Sequence, residues 1–173
     1  NVRALYETPA RVKSVADRDA AREVIDAVRA SGRTLLTEAE AKQVIKAYGI
    51  RVAETIVAQS EEEAVAAAAK LGYPAVLKLH SLTVTHKSDS GGVQLDLKNE
   101  AAVRQAFQKI AAIPGFAGAA VQHMEDRKSG VEVIVGCSLD SQFGPVLLFG
   151  SGGEFVELYK DRALALPPLN TTL

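Results

Sequence analysis

Lys78-Leu79-His80-Ser81-Leu82-Thr83-Val84-Thr85-His86-Lys87-Ser88-Asp89-Ser90-Gly91-Gly92-Val93 is the stretch on which the reading of this chain turns. Just ahead of it, Ala75-Val76-Leu77-Lys78-Leu79 has the apolar run of a buried strand with a lysine set into it. Beyond it, Val93-Gln94-Leu95-Asp96-Leu97 alternates apolar and polar residues, the period of a second strand. A buried ammonium is costly without a partner, so Lys78 either snorkels to water or faces a negatively charged ligand. The intervening loop adds hydroxyls and a glycine pair. Glycine lets successive amides point into one concavity, and serine adds donors, so Ser88, Ser90, Gly91 and Gly92 suit an anionic oxygen cluster. Strand lysine and loop together have the parts of a polyphosphate cradle, although neither a GK[ST] loop nor a GxGxxG is present. A polar hairpin turn is the plain alternative for the loop. Asp89 is the awkward member, since its carboxylate repels phosphate.

His86 lies in that loop rather than on an apolar face. An imidazole there can accept or donate a phosphoryl group, against the alternative of a solvent-exposed or loop-capping histidine. His80 alternates to the other side of its strand and reads as structural. No third ligand at metal spacing accompanies the two histidines, so histidine is not expected to hold a metal here.

Composition narrows the classes. The 173 residues carry 20 Lys+Arg against 21 Asp+Glu, so no net field points to nucleic acid or an anionic membrane. At 47% hydrophobic and 24% charged the chain is ordinary globular material, long enough for one domain or two small ones. Its single cysteine, Cys137, allows no internal disulfide and reads as a small core residue. No apolar run approaches a membrane span and no signal-peptide core opens the chain, so a reducing, cytoplasmic setting is expected.

Helical and strand periods then place the stretch. Asp17 to Ala30 repeats apolar residues at three- and four-residue steps and ends at Ser31-Gly32. Thr37-Glu38-Ala39-Glu40 is a capping box opening a helix that Gly49 stops. Thr55 to Ala58 reads as a strand, and Ser60 with Glu63 opens an alanine-rich helix ending at Leu71-Gly72. Asn99 to Ala112 is a further strong helix. After Pro114-Gly115 the chain turns nearly pure strand: Ala119 to Met124, Val131 to Val135, Pro145 to Phe149 and Phe155 to Tyr159. The expected organisation is a linker and helix over 1–36, a first α+β subdomain over 37–120, and the start of a second over 121–173.

The change of character falls at Gln122-His123-Met124, followed by Gly130-Val131-Glu132. A hinge strand of this kind suits a purine: main-chain groups read its edge, Met124 covers its face, and Glu132 accepts from ribose hydroxyls. The blander reading makes Met124 core and Glu132 solvated. Ser151-Gly152-Gly153 reads as a tight turn in preference to a second phosphate loop.

In order along the chain, these segments resemble the ATP-grasp domain of the ADP-forming (NDP-forming) acyl-CoA synthetases, which include ADP-forming acetate–CoA ligases. The similarity runs from Leu36 to Leu169 and rests on Leu36-Thr37-Glu38-Ala39-Glu40-Ala41-Lys42, Tyr48-Gly49-Ile50, Gly72-Tyr73-Pro74 and Leu77-Lys78. It continues through His86-Lys87-Ser88-Asp89, Gly91-Gly92-Val93, Val121-Gln122, Met124, Gly130, Glu132, Gly136, Phe149-Gly150, Gly152-Gly153 and Phe155-Val156-Glu157. The ordered series is specific where no single element is.

The resemblance implies an α+β ATP-grasp fold in which two subdomains clamp ATP or ADP. It makes Lys78 the phosphate lysine, Ser88 to Gly92 the lid, Gln122, His123 and Met124 the adenine hinge, and Glu132 the ribose contact. It further implies phosphoryl transfer between nucleotide and an acyl phosphate through a histidine on a separate CoA-binding domain or subunit, with His86 matching a relaying position. One departure bears on Mg2+: the late metal-binding strand of the family, of the form E-I-D-I-N-P, has no counterpart before Leu173. The second subdomain is therefore expected to be incomplete, the main Mg2+ ligands to lie elsewhere, and the isolated chain to turn over little. Two other readings share the fold: a non-catalytic nucleotide-sensing module of a fused protein acetyltransferase, and a carboxylate–amine ligase, which gives no reason for His86.

Overall fold

The computed structural model describes residues 16–84, 91–126, 130–153, 161–167 and 169. Their contacts divide into two units, one between Ser14 and Glu125 and the other from Asp126 onward.

The first unit opens with α1 (Arg18–Ala30), whose cap Asp17 accepts from Ala20 N at 3.0 Å. Next comes α2 (Glu38–Ala47), opened by the capping box: Thr37 Oγ1 accepts from Glu40 N at 3.3 Å, and Glu40 Oε2 from Thr37 N at 2.7 Å. Arg33 clamps both oxygens of Glu40, at 2.9 and 2.7 Å. There follow β1 (Thr55–Ala58), α3 (Glu61–Leu71), β2 (Ala75–Leu79), β3 (Val93–Leu97), α4 (Glu100–Ala111) and β4 (Ala119–His123).

The strands form one sheet in the order β1-β4-β2-β3, antiparallel throughout. Strands β1 and β2 are therefore parallel with β4 between them, and β3 and β4 are parallel with β2 between them. Each pair is joined by a helix, so two split β-α-β units interleave. Right-handed crossovers put both helices on the same face. There Ala58, Leu77, Leu79, Ala119 and Val121, all 0% exposed, pack against Ala64, Ala68, Val103 and Ile110. Because side chains alternate, Val76, Lys78, Ala120, Gln122 and Thr55 point to the opposite face, where α2 lies.

The second unit is an antiparallel meander of β5 (Val133–Asp140), β6 (Gly144–Ser151) and β7 (Arg162–Ala165). Asp140 Oδ1 closes the β5–β6 turn by accepting from Gln142 N and Phe143 N, and Gly144 takes the left-handed conformation that the turn needs. Three expectations change here. Cys137 is exposed rather than buried, since β5 is open along nearly its whole length. Strand β5 runs on to Asp140, and β7 forms from Arg162-Ala163-Leu164-Ala165, a segment with little intrinsic strand preference that pairs only through Leu147–Gly150. The expected strand Phe155 to Tyr159 lies outside the described residues.

Candidate functional site

Lys78 is the fourth residue of β2, and the sheet's alternation turns it away from the helix-packed core. Its neighbours in the ladder are Val93 on β3 and Ala120 on β4, so Gln122, two residues on, shares its face. Helix α2 sets its first residue, Glu38, over both. Lys78 Nζ donates to Glu38 Oε1 at 2.9 Å, and Gln122 Nε2 donates to the same oxygen at 2.6 Å. Lys42, one turn along α2, brings a second ammonium to 3.3 Å and also donates to Thr55 Oγ1 at 2.9 Å. The three charged side chains are 20–28% exposed, and Gln122 is buried. Burial pushes the Glu38 carboxyl up. The hydrogen bonds from Gln122 and Lys78 and the charges of Lys78 and Lys42 outweigh it, bringing the group down to about 2.

The glycine pair is joined to this lysine through the backbone. Leu79 N donates to Gly92 O at 2.7 Å, which sets Gly91-Gly92 beside the end of β2. Gly91 has φ 70° with nothing within 4 Å of where a Cβ would stand, so an open, left-handed position faces solvent there. The loop's other end is fixed too: buried Ser81 accepts from Thr83 N and Val84 N, turning the chain out of β2. His80 continues the sheet, donating to Gly118 O and accepting from Ala117 N. His86, Ser88 and Ser90 lie outside the described residues.

The hinge residues are used in ways that sequence did not show. Gln122 turns its side chain to Glu38, His123 Nδ1 lies 3.2 Å from Gly72 O, and Met124 N donates to Pro74 O at 2.9 Å. In the second unit Glu132 is exposed, and its carbonyl accepts from Gly152 N at 2.8 Å. A Cβ on Gly152 would come within 3.0 Å of the Glu132 carbonyl carbon, and one on Gly153 within 3.5 Å of Glu132 Oε2. The Ser151-Gly152-Gly153 segment thus lets two backbones approach closely, with Ser151 Oγ donating to Asp161 Oδ2 at 2.8 Å. Among the described residues no group of three or more His, Cys, Asp or Glu side chains is placed to hold a metal ion.

The structure therefore brings together Lys78, Gly91, Gly92 and Gln122, and adds Glu38 and Lys42. Sequence reasoning saw Glu38 only inside the Thr37–Glu40 capping box; beyond Lys42, its partners Lys78 and Gln122 are 40 and 84 residues away.

Fold and site together define an α+β module with a strand-borne cation beside a glycine pair. The chain belongs to the ATP-grasp domain family, whose model matches residues 27–173. It is 44% identical over 135 residues to an acetate–CoA ligase (ADP-forming) II of Archaeoglobus fulgidus, covering 78% of this chain and 20% of that protein. It is 42% identical over 156 residues to the beta subunit of acetate–CoA ligase (ADP-forming) I of Pyrococcus furiosus, covering 86% of this chain and 66% of that subunit. The chain thus spans about a fifth of the first relative and just under two thirds of the second. A solved structure of the dinucleotide-forming acetyl-coenzyme A synthetase 1 of Ca. Korarchaeum cryptofilum, in complex with coenzyme A and Ca-AMPCP, superposes with a TM-score of 0.80. That match has 41% identity and covers 87% of this chain and 68% of that one.

Proposed function

We propose that this chain is the nucleotide-binding module of an ADP-forming acyl-CoA synthetase. The observation that carries the reading is the juxtaposition of Lys78 with the Gly91-Gly92 backbone on one edge of β2, in a chain whose relatives at 42–44% identity are ADP-forming acetate–CoA ligases. Lys78 binds the polyphosphate as a point charge, and the glycine segment lends it amides. Main-chain groups of the hinge strand read the adenine edge, Met124 covers its face, and Glu132 accepts from the ribose. Ser88 and Ser90 donate to the phosphates.

In the proposed reaction a histidine nitrogen attacks the γ-phosphorus of ATP. The bond to the β–γ bridging oxygen breaks and ADP leaves. The phosphoryl group then passes to a carboxylate, giving an acyl phosphate, and a CoA thiol displaces phosphate to yield the acyl-CoA. His86 acts as a relay in that transfer, and the CoA-binding portion is a separate domain or subunit. Mg2+ accompanies the nucleotide, with its main ligands supplied from outside this chain. A fused acetyltransferase finds no support among these relatives.

The test is product formation by the complete protein given ATP, CoA and short carboxylic acids. ADP and acyl-CoA in equal amounts are expected; failure to release ADP with every acid tried would sink the reading. Acid-labile, base-stable label from ATP should fall at least about tenfold in His86→Asn, the scale of losing a nucleophile or acid–base group. Unchanged labelling would remove His86 from the relay.

A further inference from the structure

We infer that Glu38 is a positioning residue that fixes the Lys78 ammonium for the nucleotide's polyphosphate, with Gln122 fixing Glu38 in turn. The inference rests on the proposed reading of Lys78 as a phosphate ligand.

A lysine on a strand has four rotatable bonds and a compact charge that water solvates well, so its ammonium samples many places unless something holds it. Here a hydrogen bond of 2.9 Å to Glu38 Oε1 holds it. An anchor is useful only if it is itself fixed, and Glu38 is fixed from three sides. Its backbone begins α2 directly after the Thr37 cap, where the helix N-terminus favours a carboxylate. Lys42, on the next turn, stands 3.3 Å from the same oxygen and is tied to Thr55. Gln122 reaches that oxygen at 2.6 Å from β4, a strand flanked on both sides by β1 and β2, where its side chain is 5% exposed and has little freedom.

Among the described residues two ammonium groups meet this one carboxylate, a net positive balance that suits an anion. An ammonium has three donors and Glu38 takes one. A polyphosphate meeting a placed ammonium loses less of its binding energy to ordering. Against this, a carboxylate close to phosphate repels it. The two effects have opposite signs, so the response of nucleotide affinity to Glu38→Gln decides between them.

The experiment is calorimetric titration of the full chain with ADP, and with AMP as a control lacking the β-phosphate. The proteins are wild type, Glu38→Gln, Lys78→Met, the double variant and Gln122→Leu, with thermal unfolding to confirm folding. Positioning predicts that Glu38→Gln weakens ADP by about tenfold and AMP by no more than about twofold. It also predicts that the double variant is no worse than Lys78→Met alone, because Glu38 acts only through Lys78. Gln122→Leu leaves every charge in place, so a loss of about threefold for ADP with AMP unchanged isolates positioning from electrostatics and serves if Glu38→Gln does not fold.

Tighter ADP binding by Glu38→Gln overturns the inference, making the carboxylate a competitor of phosphate. Additive losses, or equal losses for AMP, overturn it as well. If wild type does not bind ADP, or Lys78→Met binds it undiminished, the reading of Lys78 falls and takes the inference with it.

Discussion

Two carboxylates of α2 behave unlike surface acids. Glu40 is held down to about 2 chiefly by its hydrogen bonds from Arg33, despite some desolvation. Glu38 is lowered as far by Gln122 and Lys78 against a larger desolvation. A carboxyl whose folded value lies below its unfolded one adds stability above the unfolded value, and loses it as pH falls through the folded one. The window for both therefore runs from about 4.5 down to about 2. Between about pH 5.5 and pH 3, Glu38 accounts for a loss on the order of 2 kcal/mol. Urea unfolding across that range should show wild type losing more stability than Glu38→Gln by about that amount; parallel curves would show that Glu38 is not held as described. Sequence exposed the lysine as anomalous because an ammonium in an apolar run breaks a local rule. The carboxylate that answers it was hidden, since nothing local links residue 38 to residues 78 and 122.

Helices were legible to within a residue because their signals are local. Asp17, Thr37, Ser60 and Asn99 all cap as their side chains allow, each accepting from the amide three residues on. One detail differs: Glu63 does not reach back to its cap amide as Glu40 does, but accepts from Gln59 N at 2.7 Å, one residue earlier. Strand β7 and the exposure of β5 escaped because pairing and burial of a strand are settled by neighbours distant in sequence. At this scale the core decides stability. Ile110 is 0% exposed at the end of α4, and Ile110→Ala is expected to cost about 3 kcal/mol in urea unfolding. Gly118 precedes β4 with φ 136°, and a Cβ there would meet Ala58 O at 3.0 Å. Gly118→Ala should cost about 2 kcal/mol by the same measurement, through strain rather than lost contacts. A loss below about 0.5 kcal/mol would show that the backbone relaxes there.

Across the molecule the two units differ in how their apolar residues are spent. The first buries Leu77, Leu79, Val103, Ile110 and Val121 completely, with helices over the sheet. The second leaves Val131, Val135, Leu139, Phe143 and Phe149 more than half exposed. Amide protection follows buried contact, so hydrogen exchange of the chain should find β2 and β4 the slowest segments and β5 to β7 faster by at least about tenfold. Equal protection would refute that division. The α+β class, the first sheet's strands and the family were all readable from ordered motifs.

The strand order β1-β4-β2-β3 has a kinetic consequence. Because β4 is the last strand of the first unit in sequence yet sits between the first two, β1 and β2 have no sheet to share until residues 119–123 arrive. A chain emerging during synthesis can form α2, α3 and the β2–β3 hairpin early, but closing the sheet waits on a contact of long sequence separation, the kind that slows folding. Gln122 enters with that strand, so the anchor of Glu38 is set in the same event that completes the sheet. An unfinished fold therefore presents Lys78 without its fixed partner, and competence to grip a polyphosphate comes only when assembly is done.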